Sequence, residues 1–314
     1  MRLKHAIAIG FVGIAGSGFL MLRQGDSSPK QPPAPATVET RMAPEVATQP
    51  SLARTPALIT PIMGQKGESF AERLKNLTAL GHNLSREAIS RRYAFLNVPP
   101  HPEEKRRKGE HVLKNDILNK LRRQASAPEG FTGNLIELYR DTGQDSVMRD
   151  YAIQHLVSWY RDGAGDAAES KEKIRGVLQE ALNERSSIAG TALAGLHRLS
   201  RVGSEFDPDQ IADAALRIAM EPTADEAARV TAIQVCAERG LRAALPVIEE
   251  LARDSANLSL RISAIAALGK LSDARQIEFL QELAAGAHEP LKPAALAALK
   301  DLRNRDTIHF SNLP

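Results

Sequence analysis

The chain has 314 residues, a formal charge of +3, 43% apolar side chains and only 4% aromatic ones, so its core must be built mainly from Ala, Leu, Ile and Val. Side chains that short suit helices whose axes approach to about 8 Å, and so small a net charge excludes a strong field over the whole body toward nucleic acid or a membrane. The single cysteine, Cys236, excludes an internal disulfide, a CxxC redox pair and a multi-cysteine zinc site.

Taken in order, residues 1–23 start with Arg2, Lys4 and His5, continue with the uncharged run Ala6 to Leu22 and close at Arg23. That is the outline of an export signal. Ala15-Gly16-Ser17 offers a small-x-small cleavage site, whereas retention of Phe19 to Leu22 would make the run an uncleaved signal anchor at the short end of what spans a bilayer. We expect an anchor, with a cleaved signal peptide as the alternative. Positive charge ahead of the run places the body outside the cytoplasm: anchored in the inner membrane facing the periplasm, or secreted if the signal is cut. Residues 24–66 hold eight prolines between Pro29 and Pro61 among Ser, Thr, Gln and Ala. Proline at that density denies helix and sheet their hydrogen bonds and predicts an extended, disordered linker.

Residues 67–125 read as a helical unit. Phe70, Leu74, Leu77 and Leu80 fall on one helix face, Ser85 caps a second helix that ends ahead of Pro99-Pro100, and a third at about 110–124 turns Leu113, Ile117, Leu118 and Leu121 inward. Such a unit would cap whatever follows by covering an apolar face that would otherwise meet water.

From residue 131 to 304 the pattern repeats, leaving 305–314 as a tail. Ala152-Ile153, Ala192-Leu193, Ala232-Ile233, Ala264-Ile265 and Ala295-Leu296 are each followed by Leu or Cys, at intervals of 40, 40, 32 and 31 residues. A fixed period in the range of about 20 to 50 residues marks a stacked repeat array. Each copy holds two helical stretches and none holds a strand-like alternation, so the fold class is all-α, with about five helical hairpins behind the N-terminal cap. A second regularity supports the register. Arg149, Arg229 and Arg261 stand three residues before the Ala, and Asp145, Asp225 and Asn257 stand four residues earlier still. The acid or amide suits a helix N-cap, and the pairs could form a structural ladder within a helix or between neighbouring repeats.

Leu241 to Leu251, with Pro246, and Leu260 to Leu271, with Arg261, Ala264 and Leu268, make residues 131–304 resemble the HEAT-repeat family, in particular its short HEAT-like repeats of the phycobilisome-lyase type. That resemblance implies a right-handed α-solenoid which binds other proteins on its concave or edge surface, and it implies no reaction. The HEAT-like metal hydroxylases carry His-Glu pairs symmetrically in their repeats, whereas here His288-Glu289 stands alone.

The remaining chemical signals are thin. His155 with Asp150 and Tyr151 suggests acid-base machinery, but it shares its helix with the apolar Ile153 and Leu156, which favours a structural histidine. Ser170-Lys-Glu-Lys173 matches the SxxK spacing of penicillin-recognising enzymes without their other motifs, in a stretch read as a polar loop. Cys236 is the best nucleophile candidate should the chain be a lyase or enzyme accessory, although its register makes it a small core residue. Lys105-Arg106-Arg107-Lys108, with Arg122 and Arg123, could face an anionic partner, and the interspersed Glu103, Glu104 and Glu110 favour a solvated loop instead. The expectation is therefore a protein-interaction scaffold, not an enzyme, with no catalytic residue, no metal and no cofactor. Its partners would be an unidentified protein or peptide and, through residues 1–23, a membrane; nucleic acid is disfavoured.

Overall fold

A computed structural model describes residues 69–163, 167–286 and 288–311, with the side chains of residue 274 and of 305–311 excepted. The expected export signal, the proline-rich linker and the last three residues of the expected tail lie outside the described residues. Within them the chain forms α1 (Phe70–Thr78), α2 (Arg86–Leu96), α3 (Glu104–Arg122), α4 (Phe131–Arg140), α5 (Ser146–Arg161), α6 (Ala168–Ala181), α7 (Ser187–Leu199), α8 (Pro208–Met220), α9 (Glu226–Arg239), α10 (Leu245–Asp254), α11 (Leu258–Leu271), α12 (Ile277–Ala285) and α13 (Lys292–Ser311). The described residues contain no strand, and the architecture is an all-α solenoid.

Helices α4 to α13 pair as five antiparallel hairpins, α4 with α5 through to α12 with α13, and the second helix of every hairpin also packs on the second helix of the next. Three of those junctions demand glycine, the first because a Cβ on Gly195 of α7 would come within 2.3 Å of the Val157 side chain on α5. A Cβ on Gly190 of α7 would come within 2.8 Å of the Ala228 Cα on α9, and one on Gly269 of α11 within 2.6 Å of the Ala298 Cα on α13. The small-residue composition is thus used where second helices touch.

Those contacts fix the register. Counted from the repeating Ala, the residue two places before it (Gly190) and the one five places after it (Gly269) face the following repeat. The Ala itself and the Leu or Cys four places on face the first helices. Ile153, Leu193, Ile233 and Ile265, directly after the Ala, are all fully buried, whereas Leu296 in α13 is 58% exposed, because the last described hairpin has no successor on that side.

Local chemistry sets the helix limits. Asp145, Asp225 and Asn257 each accept a bond from a first-turn N–H of α5, α9 and α11, to Val147, to Ala227 and Ala228, and to Leu260. The second 40-residue interval contains an irregular connection at 200–207, while tight 3-10 turns at Arg242–Ala244, Ala274–Gln276 and Glu289–Leu291 shorten the later repeats.

Three boundaries differ from the sequence reading. Lys105 to Lys108 lie in the first turns of α3, not in a loop, because Glu104 and the acids around it favour the positive end of a helix. Ser170 is on α6. Helix α13 runs on to Ser311, beyond the expected start of the tail.

Candidate functional site

The arginines that precede the repeating Ala point at the first helix of their own hairpin. Arg149 Nε donates to the Tyr139 carbonyl at the end of α4 (2.7 Å), Arg229 to the Ala219 carbonyl near the end of α8 (3.4 Å), and Arg261 to the Ala252 carbonyl near the end of α10 (3.0 Å). The last carbonyls of a helix lack intrahelical donors and carry the negative end of its dipole, so a guanidinium there both satisfies and neutralises them. Helix α7 has Ala189 in place of the arginine, and the end of α6 is served from the next repeat by Arg217, which donates to the Leu182 carbonyl (2.9 Å). Links between repeats come from the flanks of the same rows: Arg149 pairs with Glu184 and Asn257 donates to Glu226.

The basic stretch is largely engaged. Arg106 pairs with Glu103 (2.9 Å), Lys108 with Glu104 (2.5 Å), Arg107 with Asp145 (3.4 Å) and Arg122 with Asp162. Lys105 and Arg123 stay exposed. The exposed pairs of Arg106 and Lys108 contribute about 0 to 1 kcal/mol each, whereas those of Arg107 and Arg122 are part-buried against Asp145 and Asp162.

None of the nominated chemistry gathers into a reactive centre. Cys236 is fully buried, and burial pushes its thiol up to about 12, so no nucleophilic thiolate is available near neutral pH. Burial drives the His155 imidazole down to about 3, with the Arg122 charge adding to it, and its Nε2 lies 2.9 Å from Asn115 Oδ1. Burial raises Asp150, whose Oδ2 accepts a bond from Gln154 (2.8 Å). Lys173 pairs with Glu169 one turn before it, and Glu289 accepts from Lys292. Among the described residues no group of three or more His, Cys, Asp or Glu side chains is arranged to hold a metal ion.

What the repeats do present is the face of the second helices turned away from the first helices. Two places after the repeating Ala stand Gln154, Ala194, Gln234, Ala266 and Ala297, all half-buried or exposed. One place before it stand Tyr151, Thr191, Thr231, Ser263 and Ala294, mostly half-buried. Thr231 returns its hydroxyl to the Ala227 carbonyl and Ser263 to the Val230 carbonyl. Six places after it stand Ser158, Arg198, Glu238, Lys270 and Asp301, alternating in charge along the row. The strip is therefore lined by small and uncharged side chains with a charged margin, and it spans five helices. The sequence reading missed it, although the repeat register that located the buried Ala also locates these rows.

The family model for HEAT repeats matches residues 213–300, the stretch from α8 into α13. These residues are HEAT repeats. Among solved structures, human deoxyhypusine hydroxylase in complex with glycerol is similar at 15% identity, over 79% of this chain and 95% of that one, with a TM-score of 0.32. The expectation of a chain that is not an enzyme is withdrawn on that comparison, since the similar structure is that of an enzyme. A likeness of that degree assigns no reaction to this chain. No curated protein matches it in sequence. No helix among the described residues is long and apolar enough to cross a membrane, and the apolar run at 1–23 lies outside them.

Proposed function

We propose that the HEAT array is a protein-interaction scaffold that seats a partner protein or extended peptide along the row of second helices. The observation that carries this reading is the strip of Gln154, Ala194, Gln234, Ala266 and Ala297, which repeats in register on five helices beside one charged margin. Glutamine amides both donate and accept, which suits main-chain peptide groups, and alanines keep the approach open.

The sequence of residues 1–66 extends the proposal: an exported body, tethered at an inner membrane through residues 1–23 and held off it by the proline-rich spacer. Two experiments separate these parts. A photo-crosslinking residue placed at Gln154, Gln234 or Ala266 in the full chain should trap the same partner from cells, and one at Glu137 or Glu250 on the first helices should not; equal trapping from both sets removes the assigned face. A periplasm-dependent reporter fused after Pro314 should be active in cells, and an inactive fusion removes the exported location while leaving the surface in place.

A further inference from the structure

The three N-terminal helices meet the first hairpin through α3 and α5, and that junction contains two buried histidines, one from each side. His111 of α3 is 9% exposed and His155 of α5 is 6% exposed. His155 uses Nε2 toward Asn115 of α3, and its Nδ1 is buried with no partner among the described residues. His111 Nε2 stands 3.6 Å from Asp145 Oδ1 without a hydrogen bond. We propose that this junction is an acid-operated latch, closed while both imidazoles are neutral and released when they take up protons, which uncovers the flank of the first hairpin.

Every charge facing the pair bears on the direction. His111 lies among Arg107 and Lys114 on one side and Glu110 and Asp145 on the other. Arg107 is already 3.4 Å from Asp145, and the Lys114 ammonium, itself 1% exposed, donates to the Val98 carbonyl at 2.6 Å. A proton on His111 would add a third cation to a pocket that already holds Arg107 and Lys114 beside the two carboxylates Glu110 and Asp145. His155 faces Arg122, and a proton on its Nδ1 would create a buried charged donor with nothing to receive it. Burial lowers both groups, with Asp145 partly opposing the shift at His111 and Arg122 reinforcing it at His155.

The sign follows from linkage. A histidine whose folded value is depressed gives stability that is complete above its ordinary value and is lost as pH falls below it. For His155, moving from 6.5 to about 3 makes the opening equilibrium of the junction about thirty-fold larger at pH 5 than at pH 8. The other buried histidine of the array, His197 of α7, also has an unpartnered Nδ1, but its Nε2 lies 2.8 Å from the Glu238 carboxylate of α9 where His155 has the neutral Asn115, so that junction is the internal reference.

Hydrogen exchange of the full chain, corrected for intrinsic rates, tests the latch at pH 8, 6.5 and 5. Amides of α1 to α3 and α5 should lose protection by at least an order of magnitude at pH 5, with α9 to α11 changing less than threefold, and His155→Gln together with His111→Gln should flatten the response. A uniform loss across all thirteen helices, or an unchanged junction at pH 5, overturns the proposal. If the double variant does not fold, NMR titration of the histidines in the native chain decides. A His155 ring that stays neutral at pH 5 wherever α3 is protected supports the latch, and a ring that protonates near pH 6 with α3 still protected refutes it.

Discussion

The junctions inside the repeat array and the junction between α3 and α5 solve the same problem with opposite chemistry. Between α7 and α9, and between α11 and α13, the closest contact is Gly190 on Ala228 and Gly269 on Ala298, carbon against carbon, with His197 on Glu238 as a polar contact across the first of them. Between α3 and α5 it is made by His155 on Asn115, Arg107 on Asp145 and Arg122 on Asp162, beneath a fully buried Lys114. An apolar junction depends on shape and is indifferent to pH; a polar one depends on protonation and on every partner being in place. The array is therefore built for constancy, and its N-terminal cover for response.

The contrast is broken most severely in the array core. Leu268, fully buried in α11, should lose about 2 to 5 kcal/mol on Leu268→Ala, read as a fall in urea midpoint with an unchanged slope. Next in size is a pH effect at the cover. Burial lowers the Lys114 ammonium to about 8 from 10.5, so the unfolded chain holds that proton more firmly. Stability should then rise by up to about 3 kcal/mol as pH climbs from 8 toward 10.5. Lys114→Met should abolish that rise in thermal melts across the same range. Gly269→Ala pushes a methyl to 2.6 Å from the Ala298 Cα and should cost about 1 to 3 kcal/mol through displacement of α13, visible as faster exchange in α13 before α9. Arg261→Ala and Arg217→Ala each strip a donor from the carbonyl end of a first helix and should cost a similar amount, about 1 to 2 kcal/mol each; a marked inequality would show that the donor from the next repeat is not equivalent to the one within the hairpin. Smallest is Cys236, whose buried thiol, raised to about 12, should resist alkylation in the folded chain and react only at the rate of global opening.

The same contrast explains what could be read from the sequence. Apolar burial at a fixed interval leaves a mark in the order of residues, so the Ala-centred helices, their partners and the N-caps at Asp145, Asp225 and Asn257 are legible. The aim of the arginines toward the first-helix carbonyls is less so, because spacing gives the rung and not the neighbour it meets. At the cover, Lys114 reads as one more surface lysine beside Lys108 and Lys120; its burial follows from where Val98 and Phe95 lie, 16 and 19 residues back in the chain. The basic run at 105–108 reads as a loop because its acids look like interruptions, when they are the helix-initiating and pairing residues. The exposed strip at Gln154, Gln234 and Ala266 left no signal of its own, since small and uncharged residues on a helix surface are common.

Leu296 bears on how such a chain changes length. The side chain that every earlier hairpin hides beneath its successor stands open on α13, with Lys300 beside it where the preceding repeats place the buried Val157, His197, Ala237 and Gly269. A tandem duplication of the α10–α11 unit grafted behind α13, with Lys300 changed to Gly, would meet a seat already cut to fit. Adding a hairpin at that seam would bury Leu296 as its counterparts are buried and would first have to remove the charge at Lys300.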